Sequence, residues 1–312
     1  MIGYFGKVPG SADFVAHNAA YKDVRELDSW LQDALAWMAE CDAGWHERFD
    51  ALPMCFFHFR ASNGHWLLGG MQSSRDASGR RYPLLVFQRL GVAPGVEGSV
   101  GVHTLSETFC GQLRGLLQRL IHGDAGVQEL HRSMEELREL GEGDLKLQQR
   151  LLQRFLEDVR YSDLSRALNP GFPEFVASAF ALRMQGLRQR LLAGEALQAV
   201  MPLPAERALK RPAADLWLHW LDRNGPRAKA SLLVDDFMRP HLWRFARTDR
   251  EAFRLLAGVA PQETRFDVLE SFEHFDPQWA SVEPPSAELD MGTYITRFPG
   301  EENAMRMDGP AL

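Results

Sequence analysis

Three strand-like segments between residues 54 and 90 restrict the fold more than any other feature of the sequence. Met54–Phe59 is short and rich in aromatic residues, and the turn pair Asn63-Gly64 separates it from His65–Met71. A polar loop then leads to Tyr82–Leu90. Because hairpin turns join strands that run in opposite directions, we expect a sheet that is at least partly antiparallel.

Helical patterns flank these strands along the chain. Residues 23–40 repeat apolar side chains at three- and four-residue spacing, with Trp30 on the apolar face. Residues 103–193 carry several Leu-rich stripes that are interrupted at Gly and Pro residues, which predicts a block of packed helices. No heptad repeat persists through these interruptions, so a coiled coil is not expected.

Further strands are predicted at both ends of the chain. Residues 3–8 form a candidate opening strand. Asp215–Leu221 alternates Leu and Trp side chains and predicts a second, and a Gly-Pro turn separates it from a third at Ala230–Val234. A short helix is expected at residues 249–257.

The acidic residues are concentrated at the C-terminal end. Residues 259–312 hold three arginines and eleven carboxylates, whereas the net charge of the whole chain is −7. The rest of the chain is nearly neutral, so we expect no broad basic face for nucleic acid. The Pro-containing acidic end is typical of a segment that wraps the surface or is partly disordered.

Cysteine usage and hydropathy indicate the compartment. Cys41, Cys55 and Cys110 lie far apart and form no CxxC pair, which is typical of a reducing cytoplasm. No run of about 18 apolar residues occurs, and the first residues do not form a signal peptide. We therefore expect a cytoplasmic protein without membrane insertion.

Familiar catalytic motifs do not occur in the sequence. Gly6-Lys7 lacks the flanking residues of a phosphate-binding loop, and neither GxSxG nor HExxH is present. His58 and His65 flank the predicted hairpin and could approach each other, but the sequence indicates no third metal ligand. Asp235-Asp236 could bind Mg²⁺, although we favour a helix cap or a turn there. We expect no enzymatic activity, no cofactor and no metal.

The opening segment Gly3–Val15 is the first of two unusual loops. Its glycines and its proline determine the path of the backbone. Phe5 and Phe14 bracket the loop and should anchor it to the core. Lys7 and Asp13 could pair across it.

The second unusual loop is Ser74–Leu84. Ser74 and Asp76 should accept hydrogen bonds from nearby backbone amides, and Gly79 permits a positive φ. Pro83 requires either the first positions of a strand or an edge strand, because it has no amide hydrogen to donate.

Together the two loops resemble the signatures of the TagF family, also called ImpM, of type VI secretion accessory proteins. The family signatures have the form G-x-F-G-K-x-P-x-x-G-D-F-V and S-x-D-x-x-G-R-x-Y/F-P-L. Matching positions in the first loop are Phe5, Gly6, Lys7, Pro9, Asp13, Phe14 and Val15. Matching positions in the second loop are Ser74, Asp76, Gly79, Arg80, Tyr82, Pro83 and Leu84. Ala12 departs from the family, which has Gly there, so a positive-φ turn at this position would be strained.

The resemblance implies a cytoplasmic regulator, usually a repressor, that acts after translation by binding other proteins. The implied partner is the forkhead-associated (FHA) scaffold protein or another cytoplasmic component of the type VI secretion system. The family fold is a three-layer α/β/α sandwich, which suits an α/β chain with a mixed, partly antiparallel sheet and a large helical block in mid-chain. We expect a TagF-like domain at 1–258, with a motif-bearing part at 1–95, the helical block at 103–193 and returning strands at 214–258, and then an acidic tail at 259–312.

Three functional hypotheses remain. In the first, the two loops lie together at one end of the sheet and present Lys7, Asp13, Asp76 and Arg80 to a partner. In the second, the chain is an enzyme that acts on a phosphorylated secretion component through Asp13 and Asp76. In the third, it is a structural subunit of the secretion machine. Tight turns that serve folding alone would also account for these residue types.

Overall fold

The computed structural model describes residues 1–91, 101–223, 225–248, 250, 266–268 and 283–298. The strands are β1 (Ile2–Gly6), β2 (Val15–His17), β3 (Cys55–Arg60), β4 (Trp66–Gln72), β5 (Leu84–Leu90), β6 (Gln198–Pro202), β7 (Ala230–Val234), β8 (His241–Phe245) and β9 (Phe266–Val268). The helices are α1 (Lys22–Cys41), α2 (Trp45–Asp50), α3 (Val102–Leu105), α4 (Glu107–His122), α5 (Val127–Glu135), α6 (Glu142–Asp158), α7 (Tyr161–Leu168), α8 (Ala177–Leu192), α9 (Arg207–Asp222) and α10 (Met291–Arg297).

The described strands form one sheet in the order β2-β1-β5-β4-β3-β7-β8-β6-β9. The predicted hairpins are confirmed, because β3 pairs antiparallel with β4 and β4 pairs antiparallel with β5. Gly64 has a φ of 81° in the turn between β3 and β4, a value that glycine adopts without strain. The sheet is more antiparallel than expected, since β9 on β6 is the one parallel pairing among the described strands.

Apolar side chains cover both faces of the sheet. Along β3, Phe57 and Phe59 belong to a cluster with α1, whereas Phe56 belongs to a second cluster with α4, α8 and α9. This division follows from the strand, whose successive side chains point to opposite faces. Burial of each large side chain of this kind stabilises the fold by about 1.5–3 kcal/mol. The predicted helix at 23–40 is confirmed as α1, with Trp30 packed on Phe59.

The helical block is confirmed, but one predicted strand is wrong. Helices α3 to α8 occupy residues 102–192, close to the predicted 103–193. Asp215–Leu221 lies inside helix α9 and is not a strand. Trp217 and Leu221 are buried together with the alternating Leu216 and Trp220, so the helix is apolar around most of its surface. Such a helix lacks the one-sided pattern that would distinguish it from a strand.

The segment predicted as an acidic tail contains a packed helix. In α10, Met291, Tyr294 and Ile295 are buried in the larger cluster, and the ring of Tyr294 stacks on Tyr161 with centroids 4.2 Å apart. The segment therefore does not simply wrap the surface between residues 283 and 298. The predicted helix at 249–257 lies outside the described residues, except for position 250.

No helix in the described parts of the chain is both long and apolar enough to cross a membrane.

Several loops meet at one end of the strands of the sheet, which we call the motif end. Strands β1, β4, β6 and β7 end there, and β3, β5 and β8 begin there, as their antiparallel registers require. The motif end therefore holds the two loops Gly3–Val15 and Ser74–Leu84, which we call the signature loops. It also holds the β7–β8 turn and the start of α9.

Candidate functional site

The two signature loops are in direct contact at the motif end. The backbone amide of Ala77 donates a hydrogen bond of 2.9 Å to the carbonyl oxygen of Ser11. The guanidinium of Arg80 donates to the carbonyl oxygen of Ala12, and Lys7 forms an ion pair with Asp76. The prediction that these loops lie near each other is confirmed.

Asp76 is the centre of this contact. Its Oδ1 accepts hydrogen bonds from the amides of Ser78 (3.0 Å) and Arg80 (2.9 Å). Its Oδ2 accepts from Arg80 Nε at 2.8 Å and from the ammonium group of Lys7. Burial alone would raise the pKa of the Asp76 carboxyl, but the hydrogen bonds from Lys7 and Arg80 outweigh it and hold that pKa well below its ordinary value.

Local backbone geometry brings the groups around Asp76 into place. The amide of Asp76 donates to the carbonyl of Arg80 (3.0 Å), and Gly79 has a φ of 80° in the turn between them. Gly6 has a φ of 133°, and a Cβ there would lie 2.1 Å from the carbonyl oxygen of Pro83. Both glycines are therefore required by the path of the chain. Pro83 immediately precedes β5, as expected for a residue without an amide hydrogen.

Three aromatic rings connect the loops to the sheet. Phe5 is buried, and its ring centroid lies 6.5 Å from that of Phe14 and 6.5 Å from that of Tyr82. Phe14 contacts the edge of Tyr82 at 5.3 Å but remains 45% exposed. The hydroxyl of Tyr82 donates to the Asp28 carboxylate on α1, and burial together with that carboxylate raises the tyrosine pKa. Phe5 anchors the loop as predicted, whereas Phe14 presents one side to solvent.

A turn after helix α4 supports the first loop from behind. The amide of Gly10 donates to the carbonyl of Ala125 at 3.1 Å. A Cβ on Gly10 would lie 2.6 Å from the carbonyl oxygen of Asp124, so only glycine allows this close approach. The sequence contained no signal for this contact.

A comparison with protein families matches the part of the chain that contains both signature loops. Residues 3–137 match the family model described as the TagF N-terminal domain, type VI secretion system-associated. The N-terminal part of the chain is a TagF domain. Both signature loops and the α4–α5 turn lie within the matched residues.

A solved structure is also similar to the chain. It is the crystal structure of PA0076 from Pseudomonas aeruginosa PAO1, with 25% sequence identity and a TM-score of 0.38. The similarity covers 45% of this chain and 63% of that chain, so it spans less than two thirds of the solved protein. No curated protein matches the sequence.

The exposed surface of the TagF loops differs from the predicted one. Arg80 is 63% exposed at its side chain and Asp13 is exposed, whereas Asp76 is fully buried and Lys7 is mostly covered. The expected pair of Lys7 with Asp13 does not form, because Lys7 neutralises the buried Asp76 carboxylate, which has the greater need of a cation. Of the four groups predicted to face a partner, Arg80 and Asp13 are therefore exposed, and the Phe14 ring is exposed beside them.

One detail of the loop predictions is also wrong, and the possible strain at Ala12 does not arise. The hydroxyl of Ser74 is buried and has no hydrogen-bond partner among the described residues, although its carbonyl accepts from the Tyr82 amide (3.1 Å). Ala12 is not among the described non-glycine residues with positive φ, so the substitution at this position causes no left-handed strain.

The predicted approach of His58 to His65 is replaced by a buried histidine pair. His58 on β3 contacts His103 on α3, with ring centroids 4.3 Å apart. Nε2 of His58 lies 3.3 Å from Ser106 Oγ, and Nε2 of His103 lies 3.0 Å from Ser231 Oγ. Burial, with Arg211 nearby, lowers the pKa of His58 to about 3. Both rings are therefore neutral in the folded protein.

A buried carboxylate organises the same region. Asp215 on α9 accepts hydrogen bonds from the amides of His103 (2.8 Å) and Thr104 (2.7 Å) at the start of α3. Burial raises the pKa of Asp215 to about 6, although these hydrogen bonds act in the opposite direction. The side chains of the histidine pair and Asp215 are closed to solvent. Their contacts hold α3, α9 and the sheet together. The described residues contain no group of three or more candidate metal ligands.

Asp235 begins the turn between β7 and β8, so the favoured turn is confirmed, and the residue is neither a helix cap nor a free member of an acidic pair. It follows β7, accepts a hydrogen bond from Lys210 Nζ at 2.8 Å and forms an ion pair with Arg114. These cations satisfy the carboxylate that the sequence offered as a Mg²⁺ ligand.

Proposed function

We propose that this chain is a cytoplasmic, non-enzymatic regulator that represses type VI secretion after translation by binding another protein of the system. The FHA scaffold protein is the first candidate partner. The observation that carries the proposal is the joined pair of signature loops in the TagF domain, which leaves Arg80 and Phe14 accessible on a fixed support.

The chemistry of these two side chains supports protein binding. Arginine and aromatic residues supply much of the binding energy of protein interfaces. Arg80 is already held by Asp76 and by the Ala12 carbonyl, so binding would cost little of its conformational freedom. Phe14 is likewise positioned by its contact with Tyr82. The surface is thus ordered before a partner arrives.

An enzyme that uses Asp13 and Asp76 receives less support. Both oxygens of Asp76 already accept two hydrogen bonds each, so this carboxylate has no lone pair directed at a metal or a substrate. Asp13 is exposed, and its described hydrogen bond at the backbone amide is to Ser11 Oγ. A calorimetric titration with divalent cations tests this alternative, and binding at micromolar concentration would support it.

Deletion of the gene is the first experiment. A repressor predicts that secretion continues or rises in the deletion strain, whereas a structural subunit of the machine predicts that secretion stops. Purified chain and purified FHA scaffold protein then give the dissociation constant by calorimetry. We expect Arg80→Ala and Phe14→Ser each to weaken binding about tenfold, which corresponds to about 1.4 kcal/mol.

Matched controls separate binding from folding. Arg48→Ala removes another exposed arginine with a carboxylate partner, and Tyr21→Ser removes an aromatic ring of similar exposure at the opposite end of the sheet. These controls should bind the scaffold like the unaltered protein. Unchanged affinity of both loop variants, with normal thermal unfolding, would refute this surface as the site.

A further inference from the structure

A basic cluster lies between helices α4 and α9 next to the motif end. Arg114 comes from α4, and Arg207, Lys210 and Arg211 come from the first turns of α9. The guanidinium carbons of Arg211 and Arg114 lie 4.7 Å and 5.5 Å from the ring centroid of Phe56. Both distances are within the range of cation–π attraction, so the ring fixes the positions of two cations.

The carboxylates of this cluster lie beneath the cations. Asp235 is buried under Lys210 and Arg114. Glu107 is mostly covered and pairs with Arg211 and with Arg207, which approaches it to 3.1 Å. Arg207 itself is 85% exposed at its side chain. The face that meets solvent is therefore mainly cationic.

The four cations of the cluster outnumber its carboxylates, which are Glu107, Asp235 and the neighbouring Asp236. Burial, followed by the charges of Arg114 and Arg211, lowers the pKa of Lys210 to about 8. Burial and the charge of Arg211 also lower the pKa of Arg114. A neighbouring positive charge disfavours a second one, so an incoming anion would be attracted to this position.

An exposed apolar tip adjoins the cluster. Phe237 is 84% exposed and Met238 is about half exposed in the turn between β7 and β8. Because Asp235 begins this turn, the Cα atom of Phe237 lies within about 7 Å of that of Asp235. The exposed carboxylate of Asp236 stands between them. An apolar contact and a cationic contact are thus available side by side.

We propose that this basic–apolar patch, formed by Arg114, Arg207, Lys210, Phe237 and Met238, docks an acidic segment of another protein with apolar side chains among its carboxylates. The proposal rests on the proposed function as a protein-binding regulator and specifies the chemistry of one bound segment. The patch lies on the α4–α9 side of the sheet, whereas the TagF loops with Arg80 and Phe14 lie at β1 and β5.

A defined peptide tests the patch without any secretion component. The probe is a fluorescein-labelled synthetic peptide of repeated Glu-Glu-Leu, and its binding to the full chain is followed by fluorescence anisotropy. Two comparison peptides replace every Glu by Lys or every Leu by Gly. We expect the Glu-Glu-Leu peptide to bind at least tenfold more tightly than either, with an affinity that falls as salt is raised.

Variants assign the binding to the patch. Arg207→Gln and Phe237→Ser change strongly exposed side chains and should leave the fold intact, which thermal unfolding verifies. Each should weaken peptide binding about five- to tenfold, and only Arg207→Gln should reduce the salt dependence. Arg150→Gln and Leu151→Ser are matched controls on α6, a helix that packs on α3 and α10. These controls should bind normally.

The outcomes separate this proposal from the proposed function. No binding to the unaltered protein, equal binding of the Lys or Gly peptide, or full binding by both patch variants overturns the docking of an acidic segment. None of these results touches the deletion experiment or the scaffold titration with Arg80 and Phe14 variants. Conversely, if the scaffold protein does not bind, the peptide result still holds as a property of the patch.

Discussion

The ammonium group of Lys7 and the carboxylate of Asp76, 69 positions apart in the sequence, form an ion pair that joins the two loops. The pair lies at the point where the loop after β1 crosses the loop before β5. It makes the two TagF signatures one structural unit, because each loop supplies a charge that the other requires.

We expect Asp76→Asn to destabilise the protein and to uncouple the two loops. The amide would retain an acceptor oxygen but would leave the Lys7 ammonium group without its counter-charge in a mostly covered position. The folded-state pKa of Asp76 is depressed, so its stabilising effect is complete above the unfolded-state pKa of about 3.9 and is lost as the pH falls further. Thermal unfolding should show a lower Tm for the variant at pH 7 and a smaller difference between the proteins near pH 3. Equal Tm values at pH 7 would contradict this role.

The buried histidine pair should make the protein sensitive to acid. His58 stays neutral in the fold until a pH of about 3, whereas an unfolded histidine takes up a proton below about 6.5. Stability is therefore present above about 6.5 and is lost as the pH falls, by up to about 1.4 kcal/mol per pH unit for one such group.

Urea unfolding between pH 7 and pH 5 measures this effect. Asp215 acts in the opposite direction, because its raised pKa of about 6 makes it more stabilising as the pH falls towards 4. The informative quantity is therefore the difference in unfolding free energy between the variant and the unaltered protein at each pH. His58→Asn should remove part of the pH dependence, whereas His46→Asn on the surface of α2 should not. Parallel curves for His58→Asn and the unaltered protein would exclude His58 as a source of acid sensitivity.

Arg244 should be one of the most sensitive positions outside the TagF domain. Its buried guanidinium donates to the Asp222 carboxylate (2.7 Å) and to the carbonyls of Leu197 and Pro226 (2.8 Å each). Arg244→Met would leave all three acceptors without this donor and should cost about 3–5 kcal/mol. Arg227→Met, at an exposed arginine, should change the free energy of unfolding by less than about 0.5 kcal/mol. A similar small change for both variants would count against this assignment.

The two positive-φ glycines of the signatures should differ in their tolerance to alanine. Gly79→Ala meets no atom within 4 Å and should cost about 1–2 kcal/mol from backbone strain alone. Gly6→Ala adds a severe contact with the Pro83 carbonyl, so it should cost clearly more. Chemical denaturation gives both values, and a larger loss for Gly79→Ala would mean that the close approach at Gly6 is relieved at little cost.

Turns and one-sided helices could be predicted from the sequence, because neighbouring residues determine them. The turn at Gly64 and the helix around Trp30 follow from turn chemistry and apolar spacing. Helix α9 could not be recognised in this way, because its surroundings bury it on most sides and the alternation of Leu216 and Trp220 imitates a strand. Whether this segment is a helix or a strand is decided by its tertiary contacts and not by its pattern.

The charges of the site were harder to assign than its backbone. Lys7, Asp13 and Asp76 are equivalent in the sequence as polar loop residues, and only burial identifies Asp76 as the carboxylate that must be neutralised. The contact of His58 with His103 likewise depends on how α3 lies over β3. Pairings between distant segments leave no periodic trace in either segment.

The place of β3 in the sheet has a consequence for dissection of the protein. One side of β3 pairs with β4 from the TagF domain, and the other side pairs with β7, which comes from beyond residue 137. A fragment ending at residue 137 would leave the amides and carbonyls of Phe57 and its neighbours as an open template for pairing with other chains. Strand β3 thus makes residues 3–137 depend on the later part of the chain for a complete sheet, and a fragment ending at residue 137 should aggregate more readily than the whole chain.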